Sequence, residues 1–144
     1  MNIETKYHGI VEVSKEEILH FAAGIPGFPE EKKFVILPLE DTGFAVMQSA
    51  ATPEIAFVVA EPFTFFPEYD FKLDEQVIEQ LELGSAEDVR VCTILTVREP
   101  FEKTTANLQA PVIINTKNRK AKQVILNESG YQTRHPLFGQ KVKG

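Results

Sequence analysis

The stretch Ile55-Ala56-Phe57-Val58-Val59-Ala60 contains six consecutive apolar residues. A run of this length suits a β-strand that is buried on both faces, since a strand with one solvated face alternates between apolar and polar side chains. The rest of the chain must therefore supply packing partners for both sides of this strand.

Much of the remaining chain also has the pattern of short strands separated by turns. The other segments that read as strands are 3–7, 10–13, 18–22, 33–39, 44–49, 89–97, 111–115 and 123–127. Residues 116–120 lie between the last two and read as a hairpin loop with a basic, solvent-facing tip.

One amphipathic helix is predicted between these strands, over residues 73–83. Its apolar face consists of Leu73, Val77, Ile78 and Leu81. Asp74 is a good N-cap, and Gly84 can adopt the left-handed conformation that ends a helix.

Together these elements predict a mainly β protein, a compact antiparallel β-barrel-like domain with one amphipathic helix, or a sandwich of the same strands. A doubly wound α/β sheet is disfavoured because helices do not separate the strands. We expect a single domain over residues 1–138 and a flexible polar tail over residues 139–144.

Charge is distributed unevenly along the chain. Residues 1–114 contain 20 acidic and 8 basic side chains, a net charge of −12, whereas residues 115–144 carry a net charge of +6. An acidic body argues against general nucleic-acid binding, because phosphate groups repel it. It favours a basic protein partner, whose encounter it would accelerate.

The sequence shows no signal peptide, and no apolar run approaches the ~20 residues of a membrane span. The single Cys92 cannot form an intramolecular disulfide and is expected to be a buried core thiol. We therefore expect a cytoplasmic protein that does not contact membranes and is a monomer when free.

No enzyme is predicted from the motifs of this chain. It has no Gly-x-Ser-x-Gly elbow, no phosphate-binding glycine loop and no histidine pair with metal-ligand spacing. We expect no cofactor and no metal. The basic hairpin could contact RNA phosphates, but no aromatic residues alternate with its cations to stack on bases, so a solvated hairpin is the favoured interpretation.

The segment that follows the apolar run, residues 61–71, is rich in aromatic side chains. It holds five of the chain's fourteen aromatic residues, with two prolines and three carboxylates. The two prolines disfavour a long regular element here. The rings either cover the end of a β core or contact a protein partner, as aromatic residues do at interfaces.

A second unusual segment is Gly24-Ile25-Pro26-Gly27-Phe28-Pro29. Two glycines and two prolines specify a tight, rigid path. Ile25 and Phe28 either fix this loop to the core or are displayed for binding, and the first interpretation is favoured.

Three groups of residues, in order and at consistent spacing, resemble the FliW family over residues 1 to 138. They are 21–28 near the start; Pro53, Phe57, Val58, Val59, Pro62, Phe63 and 69–71 in the middle; and Thr105, Asn107, Leu108, 110–115 and 123–126 near the end.

The resemblance implies a β-barrel-like flagellar assembly factor without catalytic activity. It implies binding to CsrA, an RNA-binding translational repressor, in a way that non-competitively relieves repression of flagellin mRNA. It also implies binding to flagellin, so that the two complexes form a partner switch between flagellin synthesis and export. We add the hypothesis that carboxylates held near the RNA path repel RNA, an effect that salt would weaken.

Partner contacts are predicted where large rings lie beside carboxylates. The expected residues are Phe63, Phe65, Phe66, Glu68, Tyr69, Asp70 and Phe71, with Ile25 and Phe28 as a second group. Phe63 directly follows the buried strand, which favours a structural role for it and leaves Phe65, Phe66 and Tyr69 as better recognition candidates. On this basis Tyr69→Ala and Phe65→Ala should weaken binding without changing the melting temperature.

Two other functions stay open at this point. One is a binding module for a small apolar ligand in the mouth of the barrel, which requires a cavity there. The other is an RNA-binding protein that acts through the basic hairpin 116–122.

Overall fold

The computed structural model describes residues 1–40, 42–126 and 130–138. The predicted tail at 139–144 lies outside these residues. The strands are β1 Asn2–Glu4, β2 Ile10–Glu12, β3 Leu19–Phe21, β4 Lys33–Leu39, β5 Phe44–Ser49, β6 Ala56–Ala60, β7 Val89–Thr96, β8 Thr105–Ala106, β9 Val112–Asn115, β10 Lys120–Gln123 and β11 His135–Pro136. The α-helices are α1 Pro62–Phe65 and α2 Glu75–Gln80, and single 3-10 turns lie at Lys15–Glu17, Ala86–Asp88 and Phe101–Lys103.

Within the described residues, seven strands close into a barrel in the order β3-β4-β5-β6-β7-β9-β10. The barrel closes where β10 pairs with β3, and this pairing is parallel whereas the other neighbours are antiparallel. Strands β8 and β11 extend the sheet outside the barrel from β7, and β1 and β2 form a separate hairpin. The predicted mainly β, barrel-like fold is confirmed.

The apolar run that contains β6 is packed on both faces, as its composition predicts. Phe57 and Val59 belong to the cluster that fills the barrel, whereas Val58 and Ala60 belong to a second cluster on the outside. This division follows from the two-residue period of a strand. Cys92 lies in the interior cluster with 3% of its surface exposed, and burial raises the pKa of its thiol, so the prediction of a core thiol is confirmed.

Ile25 fixes the loop before β4 to the barrel interior. Its side chain is 3% exposed and packs in the interior cluster, while its backbone forms two hydrogen bonds with Phe28. Phe28 is 40% exposed, and its ring centroid lies 5.9 Å from that of Phe57. The loop is therefore fixed to the core through Ile25 and displays part of Phe28.

The predicted N-cap is confirmed, but the helix, Glu75–Gln80, is shorter than the predicted 73–83 at both ends. The Asp74 carboxylate accepts a hydrogen bond from the backbone N–H of Gln76, as an N-cap does. The left-handed residue at the other end is Glu82, with a φ of 57°, and not Gly84. The helix ends early because Leu83 turns back to pack on the outer cluster, where its N–H donates to the carbonyl of Ile78.

The last barrel strand lies earlier than the predicted segment 123–127. Arg119 adopts a left-handed conformation with a φ of 67°, which completes the turn after β9, and the next residue, Lys120, pairs with His20 of β3. Val124 and Leu126 follow β10 and pack in the outer cluster, while their N–H groups donate to the carbonyls of Pro111 and Gln109. Of the predicted segment, residue 127 lies outside the described residues.

Candidate protein-binding surface

The aromatic segment, residues 61–71, runs across the outer face of the barrel between β6 and α2. It begins with one turn of helix, α1, in which Pro62 occupies the first position and is buried. Proline is favoured there because the first N–H groups of a helix have no partner within it. The rings of the segment form two groups, one around Phe65 and one around Tyr69, and Phe66 is connected to the second group through His135.

The first group covers the barrel beside β5. Phe65 stacks on Phe44 with ring centroids 5.5 Å apart and planes at 11°. Phe101 and Phe138 complete the group, since Phe101 packs edge-on against Phe44, and Phe138 contacts the rings of both Phe65 and Phe101. Phe65 is thus half-buried and held by aromatic contacts.

The second group surrounds Tyr69. Its ring centroid lies 4.7 Å from that of Tyr131, 5.2 Å from that of Phe71 and 5.9 Å from that of Phe63. The phenol donates a 2.7 Å hydrogen bond to the carbonyl oxygen of Leu108. Burial raises the pKa of Tyr69 well above its usual value, so the phenol stays protonated at any physiological pH.

Burial reverses the ranking of the rings that the sequence suggested. Tyr69 is 5% exposed and forms part of the outer cluster, whereas Phe63 is 40% exposed. The reason is the turn of α1, which buries Pro62 and directs Phe63 outward. The ranking of Tyr69 above Phe63 as a recognition residue is therefore corrected.

The remaining predicted contacts differ in how much surface they offer. Glu68 and Asp70 are exposed, Phe66 and Phe71 are half-buried, and Ile25 is buried. Phe63 and Phe71 lie together on one groove, while Phe66 and Glu68 lie on another cavity. Their role in binding stays a prediction. Ile25 is too buried to contact a partner directly, and Tyr69 offers only 5% of its surface.

An apolar groove of about 640 Å³ runs between the aromatic segment and α2. It is lined by Phe63, Phe71, Lys72, Leu73, Ile78, Leu83, Gly84, Ser85, Ala86, Val89 and Val91. Ile78, on the predicted apolar face of the helix, is 37% exposed there. This residue and Phe63 give the groove two large exposed apolar side chains, a feature typical of a protein-binding surface.

Carboxylates lie beside this groove on α2 and on the turn after it. Glu75 and Glu79 are exposed on the helix, and Glu87 is exposed next to the groove residue Ala86. Within the described part of the chain, none of these three has an ion-pair partner within 4 Å. Lys72 is the single basic residue of the groove lining. The surface is therefore apolar in the middle and mainly acidic around it.

The basic side chains of the hairpin form contacts with neighbouring residues of the same chain. Lys117 lies 3.7 Å from the carboxylate of Asp88, Lys120 forms an ion pair with Glu82, and Lys122 donates to the side chain of Gln80. The Nε of Arg119 donates to the backbone carbonyl of Glu16. The hydrogen bond and charge of Lys120 lower the pKa of Glu82. These contacts give no support to RNA binding through residues 116–122.

The barrel interior offers little space for an apolar ligand. Phe21, Phe34 and Met47 are fully buried within it. A cavity of about 90 Å³ is lined by the interior residues Leu19 and Ile36 together with the charged residues Glu17, Arg90 and Arg119. Its size is below that of ordinary ligand sites.

Ranges 1–40, 42–126 and 130–138 contain no group of three or more His, Cys, Asp or Glu side chains placed to hold a metal ion. In the same ranges, no helix has the length and apolar character needed to cross a membrane.

The fold and this surface define a small closed β-barrel protein that carries aromatic rings and carboxylates on its outer face, as protein-binding modules do. The profile of the family described as FliW protein matches residues 2–137. The chain belongs to the FliW family, as its motifs predicted.

Individual relatives are similar to this chain over nearly its whole length. It is 53% identical over 142 residues to a flagellar assembly factor FliW from Geobacillus kaustophilus, covering 99% of each chain. It is 54% identical over 141 residues to the protein of the same name from Bacillus subtilis, covering 97% of this chain and 99% of the other. A crystal structure of the flagellar assembly factor FliW matches with a TM-score of 0.94 at 50% identity, covering 98% and 99% of the two chains. These relatives are named as assembly factors and not as enzymes.

Proposed function

We propose that this protein is a cytoplasmic flagellar assembly factor that binds two proteins in alternation, the translational repressor CsrA and flagellin. Bound to this protein, CsrA no longer silences flagellin mRNA. When unsecreted flagellin accumulates, it occupies the assembly factor and releases CsrA, so that flagellin synthesis follows export. The near full-length similarity to proteins named flagellar assembly factors supports the first part of this proposal.

The observation that carries the binding role is the apolar groove between the aromatic segment and α2. Phe63 and Ile78 expose apolar surface in it, and acidic residues lie around it. A basic RNA-binding protein is attracted to such a surface by charge and held by burial of the apolar side chains.

The antagonism of CsrA is proposed to be non-competitive. Residues 1–114 carry a net charge of −12, and a body of this charge held close to an RNA path raises the electrostatic cost of RNA binding without covering that path. Flagellin ends the inhibition of CsrA by binding the assembly factor in its place.

A pull-down tests the switch. The tagged protein captures purified CsrA, and flagellin is then added in increasing amounts. We expect flagellin to displace CsrA in proportion to the amount of flagellin that binds. A stable complex of all three proteins would rule out mutually exclusive binding. Failure to capture either protein would rule out the proposed function.

A further inference from the structure

A second cavity, distinct from the groove, lies on the other side of the aromatic segment. It has a volume of about 460 Å³. Four rings line it, those of Phe66, Tyr69, Tyr131 and His135, together with the carboxylate-bearing residue Glu68. We call it the aromatic cavity.

The rings of the aromatic cavity stand at steep angles to one another. The planes of Tyr69 and Tyr131 meet at 73°, those of Phe66 and His135 at 73°, and those of Tyr131 and His135 at 65°. The centroid distances are 4.7, 6.2 and 6.0 Å, respectively. Rings in this arrangement bound a space from several sides instead of stacking into a closed layer.

Backbone hydrogen bonds hold three of the rings in place. Tyr69 donates to the carbonyl of Leu108, the hydroxyl of Tyr131 accepts from the N–H of Asp70 at 3.0 Å, and Nε2 of His135 accepts from the N–H of Gln132 at 2.9 Å. Because these groups are already positioned, a ligand would bind without first ordering them.

The charge around the aromatic cavity favours a cation. Glu68 is exposed at its edge, and the described residues place no basic side chain within ion-pair distance of it. The lining includes no Lys or Arg, and the neighbouring Arg134 is exposed and does not line the space. Burial lowers the pKa of His135, so its ring is neutral at neutral pH and does not repel a cation.

We propose that the aromatic cavity binds the guanidinium group of an arginine side chain from a protein partner. The faces of aromatic rings attract cations, and a planar guanidinium also stacks on them. It can in addition donate two parallel hydrogen bonds to the Glu68 carboxylate, which a lysine ammonium cannot match. The inference deepens the proposed function, since it assigns a recognition site for a basic partner.

The test uses a probe that does not depend on any partner. N-acetyl-L-arginine amide is titrated into the protein while the aromatic NMR signals of Phe66, Tyr69, Tyr131 and His135 are recorded. N-acetyl-L-citrulline amide, which has nearly the same shape but no charge, is the matched probe. We expect saturable shifts with the arginine compound and no saturable shifts with the citrulline compound.

Two variants and a control complete the experiment. Glu68→Gln and Phe66→Leu should each weaken the saturable shifts several-fold, whereas Glu54→Gln, which removes an exposed carboxylate that lines neither the groove nor the aromatic cavity, should leave them unchanged. Thermal melts of each variant establish that it is folded.

The proposal is overturned if the two probes shift the same signals equally, if neither gives saturation, or if Glu68→Gln binds as wild type does. These outcomes leave the CsrA and flagellin pull-down unaffected, so the two proposals can fail separately.

Discussion

The phenol of Tyr69 donates a 2.7 Å hydrogen bond to the carbonyl oxygen of Leu108, a residue 39 positions further along the chain. This bond joins the aromatic segment, residues 61–71, to the loop that precedes β9. The position of the outer aromatic surface therefore depends on a contact between two distant parts of the sequence.

The first prediction concerns the stability that Tyr69 provides. Tyr69→Phe leaves the buried carbonyl of Leu108 without its partner and should lower the free energy of unfolding by about 1–2 kcal/mol. Tyr69→Ala also leaves a cavity in the outer cluster and should cost roughly 3–5 kcal/mol. Urea denaturation measures both. This replaces the expectation that Tyr69→Ala spares the melting temperature, and an unchanged midpoint would show that the ring is not structural.

The groove gives the second prediction. Phe63→Ser and Ile78→Ser should each weaken partner binding by about tenfold, or about 1.4 kcal/mol, because both side chains are exposed in the unbound protein and available for burial. Isothermal titration with CsrA and with flagellin measures the loss. Phe101→Ser is the matched control, since Phe101 is 41% exposed and lies in the other ring group. An equal loss of binding in this control would show that the groove is not the contact.

Salt dependence tests the proposed repulsion between this protein and RNA. Added salt screens exposed charges, so inhibition of CsrA–RNA binding should fall steeply between about 50 and about 300 mM NaCl, beyond any loss of the protein complex itself. Gel retardation of a flagellin leader RNA measures inhibition, and sedimentation measures the complex in the same buffers. Inhibition that stays constant while the complex persists would contradict the repulsion.

His135 should make stability depend on pH. Burial lowers its pKa below 6.5 in the folded state, so the unfolded chain binds the proton more tightly. Stability contributed by the neutral ring is present above pH 6.5 and is lost as the pH falls through the folded pKa. We expect the free energy of unfolding to drop as the pH falls below 6.5, and to drop less in His135→Gln. The same drop in the variant would assign the effect to other groups.

Gly24 and Gly27 form a matched pair for the loop before β4. Both have positive φ, at 71° and 89°, but a Cβ at Gly24 would lie 2.4 Å from the carbonyl oxygen of Pro29, whereas a Cβ at Gly27 meets nothing within 4 Å. Gly27→Ala should therefore cost about 1 kcal/mol from backbone strain alone, and Gly24→Ala roughly 2 kcal/mol or more. Thermal melts compare the two, and equal costs would show that the loop yields to the added methyl group.

Elements that depend on local pattern could be predicted from the sequence. The bounds of β4 and β5, the two covered faces of β6 and the Asp74 cap all follow from the period of the side chains or from one capping residue. In the same way, the glycines and prolines of residues 24–29 predicted a tight loop.

Features that depend on distant contacts could not be predicted in this way. The parallel pairing of β10 with β3 joins segments far apart in the chain, and β8 and β11 have two residues each, too few for any periodicity. The exposure of Phe63 and the burial of Tyr69 follow from the direction of α1 and from the Leu108 carbonyl. No signal within residues 61–71 carried that information.

The parallel pairing that closes the barrel has a consequence for the order of events during synthesis. Phe21 is placed beside Ala121, so the barrel cannot close on the ribosome until most of the chain has emerged. Contacts between distant segments also form late in folding, since the loop between them must first be closed. The hydrogen bond of Tyr69 likewise forms only after Leu108 has been made, so a nascent chain lacks the finished aromatic surface. On the proposed function, capture of a partner therefore begins only after most of the chain has been made, which sets a delay between the synthesis of this protein and its effect.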